Sequence, residues 1–330
     1  MTRILRLLGK VYRFPVMALD VNESSIQYLN ILKESNFQDD MRLKTWGMYE
    51  WANIAGVVYT LLLIFGIYFL ILFYTCPATY QPDQCAQANC FGIIIILELL
   101  VNFLLFIIYS RRNDPQRWLQ GVALLTTVKG AGKYCLECNR IAPLRSHHCK
   151  LCNMCILRKD HHCFVTGACV GIANQRFFIV FVLWASIGAA VGSFYNLMYL
   201  LRHMESNIYP FGWLKLLAPV AVVRWIISYE IFTNTAICVL FSICTATSVV
   251  ALIFFGSQMF YTLNGYTMYD YHTLSRKIEL HGDGETYSER LRMIFGHYWA
   301  VNFIIPLLCF PNQLTADVAR NLFSSYSKDM

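Results

Sequence analysis

Four long runs of residues carry almost no charge, and they decide what this chain can become. Residues 52–75, 177–201 and 231–263 contain no Asp, Glu, Lys or Arg, and residues 91–110 contain one, Glu98. About 20 apolar residues suffice for a helix to cross the hydrocarbon core of a bilayer. A helix also satisfies its backbone N–H and C=O groups within its own segment, which lipid demands. The expectation is an α-helical polytopic membrane protein with four transmembrane helices. Composition agrees: 14% of the 330 residues are charged, against about a quarter in an ordinary soluble domain. The first apolar run starts only after about fifty mixed residues and is far longer than a secretory signal core, so it reads as an uncleaved anchor.

Lys and Arg in the connecting segments set the orientation. Residues 1–50 carry seven, 76–90 none, 111–176 eleven, 202–230 three and 264–330 six. This predicts a cytosolic N-terminal segment (1–50), a first span (51–75), a lumenal loop (76–90) and a second span (91–110). A cytosolic connection (111–176), a third span (177–201), a lumenal, partly interfacial loop (202–230), a fourth span (231–263) and a cytosolic tail (264–330) follow. The tail's bases are nearly balanced by acids, so span parity fixes its side. The stretch 214-LKLLAPVAVVRWII-227 is apolar but broken by Lys215, Pro219 and Arg224. It is expected to lie in the lumenal interface and not to cross as a fifth span. The aromatic stretch 293–306, interrupted by His297, Asn302 and Pro306, is expected to pack on the membrane face.

Seven of the thirteen cysteines and four of the eight histidines fall in one segment, 135-CLECNRIAPLRSHHCKLCNMCILRKDHHCFVTGAC-169. Cys135/Cys138 form one C-x-x-C, and Cys149/Cys152/Cys155 a doubled one. In a reducing cytosol such spacing means metal, not disulfides. A two-residue gap lets both sulfurs of a tight turn face one tetrahedral zinc. Eleven candidate ligands do not divide into fours. Two closed sites would use eight and leave three for chemistry. Closed sites stand in for the hydrophobic core that a short polar segment lacks, and such a segment folds only with its metal. A RING-type ubiquitin ligase also interleaves two zincs, but it would close on a second C-x-x-C. Here five residues separate Cys163 from Cys169.

The run Cys135-x2-Cys138, Pro143-x-Arg145, His148-Cys149, Cys152, Cys155, Asp160-His161-His162-Cys163, Cys169-Val170-Gly171 and Asn174 resembles the cysteine-rich domain of the DHHC family of protein S-acyltransferases. The resemblance extends to the four spans, with the cysteine-rich domain (about 133–175) between the second and third. It takes in the Asp114-Pro115 pair after the second span and, loosely, Thr267-Met268-Tyr269-Asp270 and Ile294-Phe295-Gly296 beyond the fourth. It implies one structural zinc on Cys135, Cys138, His148 and Cys155, and a second on Cys149, Cys152, His162 and Cys169. It also implies that Cys163 is the nucleophile, which takes the acyl group from a long-chain acyl-CoA and passes it to a cysteine of a membrane-associated protein.

Elementary chemistry favours the same division. A free thiol with a pKa near 8.5 is only a few per cent thiolate at neutral pH. An adjacent imidazole takes its proton, and a carboxylate holds the imidazole in the useful tautomer; Asp160 and His161 are the evident pair. A long acyl chain belongs in hydrocarbon, at about 0.8 kcal/mol per buried methylene, while the CoA phosphates belong near cations. Lys150, Arg158, Lys159 and Arg176 are the candidate phosphate contacts.

Departures from the family pattern matter. Phe164, Val165, Gly167 and Ala168 stand where Pro-Trp and a pair of Asn are common, which removes an expected cavity wall and expected bracing hydrogen bonds. Met268 replaces a Thr, and Asp270 a Glu. In the third span, 186-SIGAAVGS-193 suits close helix packing; the alternative is that Gly188 leaves the deep end of an acyl cavity open. Glu98 is flagged as an intramembrane acid, with Asn102 as a structural partner. Cys76, Cys85 and Cys90 on the lumenal side predict one disulfide and one cysteine left over. The leading segment 1–14, basic and apolar together, suits an anionic leaflet. Nothing beyond a mild net charge of +7 points to nucleic acid. The expected location is an endomembrane, Golgi or endoplasmic reticulum, with both termini cytosolic. The competing reading is a zinc-stabilised membrane scaffold that binds client proteins without transferring acyl groups.

Overall fold

Each apolar run becomes a long helix in the computed structural model, which describes residues 49–117, 133–143, 145–204, 212–274 and 282–306. The leading segment 1–14 and the tail beyond 306 lie outside the described residues. Four helices are long and apolar enough to cross a membrane: α1 (Tyr49–Thr79), α2 (Pro82–Asn113), α3 (Gln175–His203) and α5 (Phe232–Leu263). Between the last two sits α4 (Ala218–Ile226), and α6 (Tyr287–Phe295) follows α5.

The connection between α1 and α2 is tighter than a loop over 76–90. Only Tyr80 and Gln81 separate the helices, because Gln81 caps α2 reciprocally with Gln84 and Pro82 occupies a first-turn position where no N–H is needed. Cys76 and Cys85 form a disulfide across this turn, with Cα atoms 5.7 Å apart, and Cys90 is free and exposed. At nine residues, α4 is only about 14 Å long, too short to cross. It lies against α5 through Ala221, Ile237 and Cys238.

The first turns of α3 form the centre of the molecule, with Phe177 to Val182 buried without interruption. One side meets α2 through ring pairs Phe103–Phe181, Phe106–Phe178 and Tyr109–Phe177, at centroid distances of 5.7, 6.0 and 5.1 Å. The other side, Ile179 and Val180, meets Leu291, Met293, Ile294 and Phe295 of α6. The stretch 293–306 thus packs on helices, held by Asn302 Nδ2 donating to the Phe295 carbonyl at 2.6 Å. Small residues draw α3 close to its neighbours, as in membrane bundles. The Ser186 and Ser248 hydroxyls each donate to the other's carbonyl at 3.0 Å. A Cβ on Gly188 would lie 2.8 Å from Ile95 Cγ2, so its missing side chain permits close approach to α2, and Gly188 also lines the apolar cavity between the helices. Glu98 accepts a hydrogen bond from Asn102 Nδ2 at 3.1 Å, one turn along the same helix.

Between α2 and α3 stand three antiparallel hairpins: β1 (Lys133–Cys135) with β2 (Arg140–Ala142), β3 (Ser146–Cys149) with β4 (Met154–Leu157), and β5 (His162–Cys163) with β6 (Ala168–Cys169). The turns repeat one device. Asn139 and Asn153, each directly after the second cysteine of a C-x-x-C, sit at φ 51°, and Gly167 closes the third turn at φ 69°. Asn and Gly tolerate that left-handed conformation best.

Candidate active site and metal centres

The hairpin turns gather the ligands. Cys135, Cys138, His148 and Cys155 form one group, and Cys149, Cys152, His162 and Cys169 another, each with ligand atoms within 4.8 Å of one another. In the second group His162 Nδ1 lies 3.6, 3.4 and 3.5 Å from the three sulfurs. In the first, Cys138 Sγ is 3.2 Å from His148 Nδ1 and 3.7 Å from Cys155 Sγ. Bonds of about 2.0–2.3 Å give a tetrahedron edges of roughly 3.5–3.8 Å. Both Cys3His sets therefore fit zinc in size and donor chemistry. The ligand groups are those expected from the sequence, and the two centres interleave because β3 sends His148 to one and Cys149 to the other.

The three residues left over part ways. His147 turns toward Lys133 Nζ at 2.9 Å and lies on the Tyr269 ring at 4.0 Å, away from Cys163's chemistry. Asp160 and His161 meet: Asp160 Oδ2 accepts from His161 Nδ1 at 2.6 Å. The other face of His161 is set by the edge of Phe178 at 5.1 Å. The Cys163 thiol is the other group that acts on the ring electrostatically. Burial alone would push the imidazole down, but Asp160 and Cys163 raise it to about 9. Burial would push the Cys163 thiol up, yet His161 and then Thr166 hold it below its ordinary value. Both shifts run in the direction that favours a thiolate beside an imidazolium.

Asp160 is itself over-determined, at 1% exposure. Gln258 Nε2 of α5 donates to Oδ2 at 2.8 Å, and the Met268 backbone N–H donates to Oδ1 at 2.7 Å. The second bond explains why a methionine is tolerated at 268: the main chain makes it. A chain of amides continues outward. Gln175 Nε2 donates to Gln258 Oε1 at 3.1 Å, and Arg158 Nη1 donates to Gln175 Oε1. Arg158 also pairs with Asp283, which bridges to Arg145, and Arg145 pairs in turn with Asp270. Thus Asp270 and Asp283 clamp the segments after α5 onto the hairpin domain.

This cluster corrects one expectation. Arg158 is fully buried and engaged by Asp283, Gln175 and the Tyr266 carbonyl, so it has no face for a CoA phosphate. Arg176 is also buried, stacked on Phe177 at 4.5 Å. Lys150 is exposed and Lys159 half-buried, 5.8 Å from the Tyr269 ring. Burial would raise the Asp283 carboxyl, but Arg145 and then Arg158 hold it below the ordinary 3.8. Its stabilisation is therefore complete above about pH 4 and is lost as pH falls through the lower folded value. Replacing Asp283 by alanine leaves two buried guanidiniums short of a partner and is expected to cost about 3–5 kcal/mol. A thermal melt of the purified protein would show it; an unchanged midpoint would mean that the cluster contributes little.

A cavity of about 410 Å³ opens beside Cys163, between α1, α2, α3 and α5. Its walls are hydrocarbon, with Ile64, Ile67, Leu99, Phe181 and Val250 among them. Val165 lines it where a tryptophan was expected two residues after the motif cysteine, while Phe164 turns away, edge-on to His162 at 5.2 Å. Bracing of the turn region does not depend on an Asn pair after Cys163. Asn174 Oδ1 accepts from the Gly171 N–H and from Asn113 Nδ2, each at 2.9 Å, and Asn113 Oδ1 accepts from the Ala173 N–H at 2.8 Å. Gln258, Asn113 and Asp283 went unremarked in the sequence. A polar amide inside a charge-free run was the available signal for Gln258, and Asp283 had none.

Residues 128–275 match the family model described as DHHC palmitoyltransferase, a span that contains both metal centres, Asp160, His161, Cys163 and the Thr267–Asp270 segment. No curated protein matches the chain.

Proposed function

Because the chain carries a DHHC palmitoyltransferase domain at residues 128–275, we propose that it is a protein S-acyltransferase, with Cys163 as nucleophile, working from a four-span membrane bundle whose hairpin domain faces the cytosol. The observation that carries this reading is Cys163 at the wall of an apolar cavity, two residues from a His161 that Asp160 orients. A thiol that needed only to be structural would require neither partner.

The Cys163 thiolate attacks the carbonyl carbon of a long-chain acyl-CoA thioester. The new carbon–sulfur bond forms as the bond to the CoA sulfur breaks, and His161 gives its proton to the departing thiolate. In the second half, His161 takes the proton of a substrate cysteine, whose sulfur attacks the acyl-enzyme and releases Cys163. Asp160 keeps Nδ1 protonated throughout, so the same ring nitrogen serves both transfers. The cavity takes the acyl chain, and Lys150 and Lys159 are the cations left to meet the CoA phosphates. Zinc at the two Cys3His centres supplies the folding energy of the hairpins. Membrane-associated proteins are the acceptors, and an endomembrane the setting.

The test is the intact mass of the purified protein after exposure to palmitoyl-CoA. A hydroxylamine-sensitive gain of one acyl group, absent from Cys163→Ser, is expected. A folded, zinc-loaded protein that gains nothing would instead support a client-binding scaffold.

A further inference from the structure

The helix that lines the cavity also grips the turn that carries Cys163. Four residues of α1 at helical spacing face that turn. Asn53 Oδ1 lies 3.0 Å from His162 Nε2. A Cβ on Gly56 would stand 2.3 Å from the Phe164 carbonyl oxygen, so the backbones approach as closely as glycine permits. The Val57 methyl Cγ2 is 3.1 Å from where a Cβ on Gly167 would be. The Thr60 hydroxyl shares its hydrogen between the Gly56 carbonyl at 2.8 Å and the Val165 carbonyl at 3.2 Å. The turn so held, 164–167, is the stretch where this chain departs from the Pro-Trp and Asn-pair pattern.

We propose that Asn53 is a positioning residue for the second metal centre, holding His162 by its outer nitrogen and thereby fixing the β5 strand that ends in Cys163. The argument is one of tautomers. His162 Nδ1 faces Cys149, Cys152 and Cys169, so a metal-binding ring carries its hydrogen on Nε2. That N–H donates to Asn53 Oδ1, a neutral acceptor on a helix 109 residues away in sequence. Acceptors of this kind orient a ligating imidazole and raise its basicity, and losing one costs roughly 10–100-fold in metal affinity. Because β5 is only His162 and Cys163, a ring released at one residue loosens the nucleophile at the next. The inference rests on the transferase reading only for that last step. The metal step stands by itself.

The full-length protein in detergent tests it by zinc transfer to a chromophoric chelator, read beside acyl-enzyme formation from palmitoyl-CoA. Asn53→Ala is expected to release one of two zinc ions roughly 10–100-fold faster than the wild type and to acylate more slowly. Asn53→Asp, whose carboxylate accepts the same N–H, is expected to restore slow release. Asn53 is only half-buried at a helix face, so both variants should fold, and their melting temperatures check this. Wild-type release rates in Asn53→Ala would overturn the proposal, as would fast release from a folded Asn53→Asp. If Asn53→Ala does not fold, the Asn53→Asp release rate decides. A wild-type protein that holds two zinc ions but never acylates would defeat the transferase reading and leave the Asn53 result to stand or fall by release rate.

Discussion

Asp160→Asn is expected to slow acyl-enzyme formation by roughly 10²–10⁴-fold while leaving the zinc content nearly unchanged. The substitution keeps the size of the side chain, but its one amide oxygen can accept from the Met268 N–H or from Gln258 Nε2 and not from both, so one buried donor loses its acceptor. What it removes is the charge that favours imidazolium and the acceptor that keeps His161 Nδ1 protonated. In a nucleophile–histidine–aspartate arrangement the amide stabilises the wrong tautomer, and the loss is of the order of 10⁴ where it has been dissected. Quenched-flow acylation with palmitoyl-CoA measures the effect. A fall of less than threefold would mean that His161 keeps its role without Asp160, and that the 2.6 Å contact is structural.

Metal removal should have the larger structural effect. The hairpin domain has little core of its own: its buried cluster is Cys149, Ile156 and Cys169, and two of these are metal ligands. Its strands are two to four residues long. Structural zinc contributes about 10–16 kcal/mol in small domains of this kind, more than such hairpins could gain otherwise. A strong chelator is therefore expected to open residues 133–169 to protease and abolish acylation, while the four long helices keep their helical signal. Limited proteolysis with mass mapping reads both regions at once. A chelated protein that remained resistant between Cys135 and Cys169 would show that α1 and the Arg–Asp cluster hold the domain without metal.

The two experiments probe different layers of one site. In the proposed mechanism Asp160 acts on the reacting atoms through His161, whereas the metals would act through His162 and Cys169 on the strand that presents Cys163. The Arg145, Arg158, Asp270 and Asp283 cluster is a third layer, which closes the segments after α5 over the domain. Three layers converge because Asp160 to Cys163 are consecutive and can be held only from the side chains' separate directions.

Periodicity and spacing made much of this legible in advance. Charge-free runs long enough to span are a one-dimensional property, so four long helices could be read from composition alone. Cysteine and histidine spacing is local as well, and both ligand groups fall as the motif implies. Three things were not local. Arg158 looked like a free cation beside the motif, and only the fold brings Asp283 and Gln175 to it from 125 and 17 residues away. Gly188 had two readings, and only the fold joins them: Ile95 of α2 packs against it, and it lines the apolar cavity. Asn53 gave no sign that it would face His162, because helix rotation and the height of the hairpins are set by packing and leave no trace in sequence separation. The chain by itself determined which groups can react and which can bind metal, since that is the chemistry of side chains. The tertiary structure alone decided which of them meet, because burial and distance belong to the folded arrangement and to no residue singly.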